Sequence, residues 1–177
     1  MHPELDRLLE PAFVEDLTAL DLAEVRRRRA ACQQREESVS YLRRVIQVRL
    51  DLLGTELSRR HSGDAPGDMD ELLARLPAIL AEHSRAPGMG QAPRDLRLPA
   101  IDDELTDLVD GIISPRRLSE LNQIPDAELV EAVDRMEGLE QEVSGVRRRL
   151  HAQIDQLQAE ITRRYRSGEA SVDALLQ

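Results

Sequence analysis

The sequence predicts an all-α protein, a long antiparallel intramolecular coiled coil of two long helices with short connecting helices. Three observations carry this expectation. Two stretches place apolar residues at alternating spacings of three and four, the pattern of a helical seam. Aromatic residues make up 2% of the chain, one Phe, two Tyr and no Trp, so Leu, Val, Ile and Ala must do the burying, as when helix packs on helix. No βαβ or hairpin pattern occurs in the 177 residues, a length suited to one helical domain over 1–177.

Residues 1–20 carry Leu5, Leu8, Leu9, Phe13, Val14, Leu17 and Leu20, which suit an amphipathic N-terminal helix able to pack on the bundle or dock a partner. The first long helix is expected over 21–61, with the seam Leu22, Val25, Arg29, Cys32, Glu36, Val39, Arg43, Ile46, Leu50, Leu53 and Leu57. It stops at His61-Ser62-Gly63-Asp64-Ala65-Pro66-Gly67, where glycine and proline together remove helix propensity. The connector, 62–124, reads as short helices at Met69–His83, with Pro77 inside it, and Asp102–Ile112, separated by a Pro- and Gly-rich loop at Arg85–Pro99. Ser114-Pro115 then reads as the cap and first turn of one more brief helix, to about Leu121. Pro125 suits the first turn of the second long helix, expected over 125–167, with the seam Leu129, Val133, Met136, Glu140, Val143, Arg147, Leu150, Ile154, Leu157 and Ile161. Residues 168–177 form a tail.

A helix of roughly 38 residues is about 57 Å long, and the connector has enough residues to run back along it. Pairing within one chain is therefore the economical arrangement, and it makes the protein a monomer before any partner binds. A parallel homodimer would satisfy each seam separately.

The formal charge of -10 argues against broad electrostatic attachment to DNA, RNA or an anionic membrane, so neither direct DNA binding nor membrane association is expected. A polyanionic ligand would need a local basic site. All 24 basic residues are Arg, a bias that a GC-rich bacterial genome produces and that selection for planar, bidentate donors would also produce. Within Arg26-Arg27-Arg28-Arg29 only Arg29 faces the seam; the others read as a solvated face, with phosphate contact or a grip on an acidic partner surface as the functional alternative. The lone cysteine, Cys32, excludes an internal disulfide and reads as a packing residue in a reducing compartment. Met1-His2-Pro3-Glu4-Leu5-Asp6 lacks the basic start and apolar run of a signal peptide, and no stretch approaches the about 18 consecutive apolar residues of a membrane span. A cytoplasmic location follows.

Catalysis has no candidate constellation. Ser40 and Ser144 have no adjacent base, and no GxSxG elbow or phosphate-cradling glycine loop is present. His2, His61 and His83 are isolated, and no His or Cys pair has metal-ligand spacing, so no metal is expected.

Charge does sit where apolar knobs belong, at Glu36 and Arg43 in the first seam and Glu140 and Arg147 in the second. Aligning these pairs gives an offset of 104 residues and a longer repeat: Glu36, Ser40, Arg43, Gln47 and Asp51 against Glu140, Ser144, Arg147, His151 and Asp155. Val39 and Val143, and Arg44 and Arg148, match as well. Steps of three and four keep each set on one broad helical stripe, able to touch one ligand. With motif midpoints facing, residue i lies near residue 191 minus i, so Glu36 approaches Asp155, Asp51 approaches Glu140, and Arg43 meets Arg147 and Arg148. Like charges so gathered cost free energy unless a ligand neutralises them. A guanine nucleotide fits: O6 and N7 accept from a bidentate Arg, N1–H and the amino group donate to Asp or Glu, and phosphate prefers guanidinium. A polar seam that only sets helix register explains Glu36 and Arg43 tolerably, but not the recurrence of Ser, Gln or His, and Asp.

The doubled Glu-x3-Ser-x2-Arg-x3-Gln-x3-Asp pattern on two long helices resembles the RsiG-type anti-sigma factors of actinobacteria, over most of the chain. The resemblance implies a non-enzymatic regulator that uses a dimer of cyclic di-GMP to hold a sporulation sigma factor of the WhiG type. It further implies that Glu36, Ser40, Arg43, Gln47 and Asp51 bind one edge of the ligand dimer and Glu140, Ser144, Arg147 and Asp155 the other. His151 stands where the motif has Gln; an imidazole can supply one hydrogen bond there. The competing expectation is a coiled-coil adaptor that needs no nucleotide.

Overall fold

The computed structural model describes residues 3–63 and 103–169. Every regular element among them is helical: α1 (Pro3–Leu9), α2 (Leu22–Ser62), α3 (Asp103–Asp110), α4 (Pro115–Ser119) and α5 (Asp126–Ser167), with 3₁₀ turns at Pro11–Val14, Leu17–Ala19 and Leu121–Gln123. The expected helix at Met69–His83, the loop at Arg85–Pro99 and most of the tail lie outside the described residues. The two long helices, of 41 and 42 residues, agree with the expected 21–61 and 125–167 to within a residue at each end. Asp21 caps α2 by accepting the Glu24 N–H at 2.6 Å, which satisfies one orphan donor of the first turn. Gly63 and Gly168, at φ of 72° and 78°, supply the left-handed residue just past each long helix.

Residues 1–20 depart from the expected single amphipathic helix. α1 ends at Leu9, Pro11 opens a 3₁₀ turn, and Asp16 takes a φ of 50°. Proline lacks the N–H that would continue the ladder and disfavours helical backbone in the residue before it, so the pattern breaks there. Leu5 and Leu8 are still buried. The brief helix begun by Ser114 and Pro115, with Ser114 Oγ accepting the Arg117 N–H at 3.3 Å, likewise stops at Ser119, before a 3₁₀ turn at Leu121–Gln123.

The chain forms two compact units, one of residues up to Ser40 with those from Val143 onward, the other Tyr41–Glu142. In the first, Arg26 bonds Tyr165, Arg29 bonds Gln158, Cys32 lies 3.9 Å from Gln153 and Glu36 meets Arg147. Partners fall on α5 as they rise on α2, so the helices are antiparallel there. In the second, Arg43 meets Glu140 and Arg60 meets Asp126, the same sense.

Buried residues recur every seven positions: Val25, Cys32, Val39, Ile46 and Leu53 on α2, and Leu129, Met136, Val143, Leu150 and Leu157 on α5. Leu42, Arg49 and Glu56, and Ala132, Val146, Gln153 and Glu160, each three residues beyond one of these, are buried too. The other half of the expected seam, Arg29, Glu36, Arg43, Glu140 and Arg147, is only half-buried. The short segments explain the rotation, because they cover the far side. Arg49 donates to the Ile113 carbonyl at 2.7 Å and pairs with Asp110 at 2.5 Å; Arg60 donates to the carbonyls of Leu121 and Ile124 at 2.7 and 2.6 Å. In the other unit Gln153 donates to the Glu10 carbonyl at 3.3 Å and Arg164 to that of Leu17 at 2.6 Å. Long polar side chains can be buried because they satisfy backbone oxygens that have left the helical ladder. The charged half of the seam is left at the open edge.

The offset of 104 residues extends well past the polar motif, to Pro11 and Pro115, Leu17 and Leu121, and Glu56-Arg59-Arg60 and Glu160-Arg163-Arg164. The structure repeats with the sequence: the 3₁₀ turns at Leu17–Ala19 and Leu121–Gln123 are offset equivalents, and each receives an equivalent arginine, Arg164 and Arg60. The chain is thus an internal duplication of short elements followed by one long helix. Each unit takes short elements from one copy and the end of the long helix from the other.

Candidate ligand site

The ten motif residues lie on α2 and α5 with matching burial: Glu36, Ser40, Arg43 and Gln47 are half-buried and Asp51 is exposed, as are Glu140, Ser144, Arg147 and His151, and then Asp155. Steps of three and four on a straight helix put each set along the open edge. The units divide them by halves of each motif. Unit one holds Glu36, Ser40, Ser144, Arg147, His151 and Asp155; unit two holds Arg43, Gln47, Asp51 and Glu140.

In unit one, Glu36 Oε1 accepts the Ser40 hydroxyl at 2.5 Å and Arg147 Nε–H at 3.0 Å, while the same Nε lies 2.9 Å from Ser40 Oγ in a three-centre arrangement. His151 Nε2 is 3.1 Å from the same carboxylate oxygen, within ion-pair distance but not aligned as a hydrogen bond. Burial pushes the Glu36 carboxyl up, but the Ser40 hydroxyl, His151 and Arg147 together outweigh it and hold the group below its ordinary range. Glu36 is therefore an ionised acceptor. In unit two the equivalent pair is Arg43 and Glu140, at 3.3 Å, with side chains 30% and 23% exposed.

These contacts correct the expected charge pairing. Glu36 takes Arg147 and His151, not Asp155, and Glu140 takes Arg43, not Asp51. Each motif's glutamate is neutralised by the other motif's arginine, in both units. A flexible arginine stem spans more than a helical turn, so opposite charges at the seam edge find each other and the crowding of like charge does not arise. Asp51 and Asp155 stay exposed, with no hydrogen-bond or ion-pair partner among the described residues. Arg44 and Arg148, one residue past each motif arginine, are exposed at equivalent positions.

Each unit therefore combines an arginine that can be drawn from its glutamate, that glutamate beside it, an exposed aspartate and an exposed arginine. Such a set accepts a ligand with both donors and acceptors and anionic groups nearby. Among the described residues no group of three or more His, Cys, Asp or Glu is placed to hold a metal ion, and no helix is long and apolar enough to cross a membrane. Burial raises the Cys32 thiol to about 11, which leaves it protonated and unreactive.

Sequence reasoning missed the two arginine clasps. Glu56 with Arg59 and Arg60, and Glu160 with Arg163 and Arg164, hold the carbonyls of the short segments. Their signal was the same offset of 104 residues, read only over the motif.

A family model described as RsiG-like matches residues 11–80 and 115–177, about three quarters of the chain. The two matched segments begin at the equivalent prolines Pro11 and Pro115. No curated protein matches the chain.

Proposed function

Because this chain belongs to the RsiG-like family, we propose that it is an anti-sigma factor that binds a dimer of cyclic di-GMP through the repeated motif and sequesters a sigma factor of the WhiG type. The observation that carries the reading is the double occurrence of one polar set with one pattern of burial: half-buried Glu, Ser, Arg and Gln or His, then an exposed Asp. In each half Arg43 or Arg147 takes the Hoogsteen edge of a guanine or a phosphate, and Asp51 or Asp155 accepts from N1–H and the amino group. Magnitudes favour the exchange. A part-exposed ion pair is worth about 0.2–1 kcal/mol, whereas a bidentate arginine–guanine contact is worth about 1–3 kcal/mol.

One observation supports a second reading. The Glu36–Arg147 and Arg43–Glu140 pairs are themselves sufficient to set helix register, as in an adaptor that needs no nucleotide. Calorimetric titration of a WhiG-type sigma factor into the chain, with and without cyclic di-GMP, separates the two. The regulator binds the sigma factor tightly only with nucleotide present; the adaptor binds equally in both.

A further inference from the structure

Unit one carries a basic groove of about 540 Å³ outside the polar motif, lined by Arg26, Arg29, Gln158, Thr162, Tyr165 and Arg166. Most arginines of the two long helices pair with a carboxylate, as Arg28 does with Glu24 and Arg164 with Glu160. These three do not. Arg26 donates to the Tyr165 hydroxyl with its guanidinium carbon 5.8 Å from that ring, and Arg29 donates to the Gln158 amide oxygen. Arg29 Nε is buried with no hydrogen-bond partner, and Arg166 is exposed. Three positive charges thus converge with no carboxylate among the described residues in ion-pair distance.

The duplication shows that the fold does not require them. At the equivalent positions in unit two, Arg26 and Arg29 are replaced by Val130 and Val133, and Tyr165 and Arg166 by His61 and Ser62, on the same antiparallel helix pairing. Val130 is 46% exposed. Valine builds that pairing without placing uncompensated charge beside a seam, so the arginines answer to something other than folding. The chain carries a net charge of -10, so a long polyanion leaving the groove would meet a repelling surface, whereas a short acidic stretch ends within it. Tyr165, Gln158 and Thr162 add the neutral hydrogen-bonding groups that a peptide backbone and carboxylate side chains use.

We propose that this groove of unit one docks an acidic segment of a protein partner, and that the uncharged equivalent in unit two does not. The surface does not depend on the nucleotide reading, and it gives a duplicated molecule one unit that a partner can distinguish from the other.

The test is fluorescence anisotropy of a fluorescein-labelled decaglutamate peptide against the full chain, without nucleotide, beside a labelled ten-residue oligothymidylate. Decaglutamate should bind more tightly than the oligonucleotide and weaken as sodium chloride rises. Arg26→Gln and Arg29→Gln should each lose at least about fivefold, and Arg166→Gln, whose side chain has no fold contact to lose, should lose severalfold. Arg116→Gln, on α4 of unit two and not among the groove residues, should bind as the parent does. Circular dichroism confirms that each variant is helical; if the Arg26 and Arg29 variants unfold, Arg166→Gln alone decides. Binding that no groove variant weakens overturns the proposal. So does equal or tighter binding of the oligonucleotide with the same variant losses, which marks a nucleic-acid surface, or full displacement of decaglutamate by millimolar inorganic phosphate, which marks a simple anion site.

Discussion

Glu36 accepts the Nε–H of Arg147 at 3.0 Å, and this contact turns an expected accumulation of like charge into neutralisation. The consequence for stability changes sign. Had the motif arginines only repelled one another, their removal would have stabilised the ligand-free chain. With Glu36 only 16% exposed in its side chain, Arg147→Ala instead costs about 1 kcal/mol, near the upper range of part-exposed pairs. Arg43→Ala, whose pair is longer and whose glutamate is more exposed, costs less. Urea denaturation of both variants measures the difference.

Asp51 and Asp155 behave differently because they touch nothing in the described structure. Replacing either with Ala leaves stability within about 0.5 kcal/mol of the parent, as for surface positions without partners. On the proposed function each should nevertheless lower affinity for cyclic di-GMP and erode its preference over cyclic di-AMP, since adenine offers an acceptor in place of N1–H and no amino group at C2. Parallel titrations with the two nucleotides, beside thermal melts, show whether affinity falls while stability holds.

The clasps are where stability is most exposed to mutation. Arg60 satisfies the carbonyls of Leu121 and Ile124 and pairs with Glu56, and Arg164, 7% exposed, satisfies that of Leu17 and pairs with Glu160. Arg60→Met or Arg164→Met keeps the stem but removes these bonds, leaving the Leu121 and Leu17 carbonyls with only the N–H of Ile124 and Leu20, at about 1–3 kcal/mol for each site. Guanidinium denaturation should show a loss at both sites, the larger for Arg60→Met, which gives up two carbonyls and Asp126 where Arg164→Met gives up one carbonyl.

Acid should loosen the same clasps. Arg163, with Arg164, holds the Glu160 carboxyl down at about 2, against an ordinary value of 4.5, and Arg59 lowers Glu56 in the same direction. A carboxyl depressed in the folded state stabilises above its unfolded value and loses that contribution as pH falls through the folded one. The melting temperature should therefore hold from pH 7 to about pH 5 and fall between about pH 4.5 and pH 2. Glu160→Gln should start lower at pH 7 and decline less over that window.

Helix bounds were readable because caps and breakers act locally. Asp21, Pro125, Gly63 and Gly168 mark ends that neighbouring residues suffice to locate. Pro11 is an equally local signal: the apolar spacing of Leu5, Leu8, Phe13 and Leu17 suits one helix, and the chain obeys the proline. The identity of the motif residues could be read from spacing alone, whereas their partners could not. Register depends on which flank of the seam the short segments cover, and that is a tertiary choice made by Arg49, Arg60, Gln153 and Arg164 on distant carbonyls. The arginine-rich composition hid those clasps, since Glu and Arg three and four apart are unremarkable on any exposed helix.

Binding of cyclic di-GMP by the repeat can be measured by equilibrium dialysis of the labelled nucleotide against the chain with a WhiG-type sigma factor. The parent should take up two nucleotides per chain, and an Arg43→Ala/Arg147→Ala variant that remains helical by circular dichroism little or none. A parent that takes up no nucleotide, or a helical double variant that takes up as much as the parent, would contradict it and leave the Glu36–Arg147 and Arg43–Glu140 pairs as devices of helix register alone.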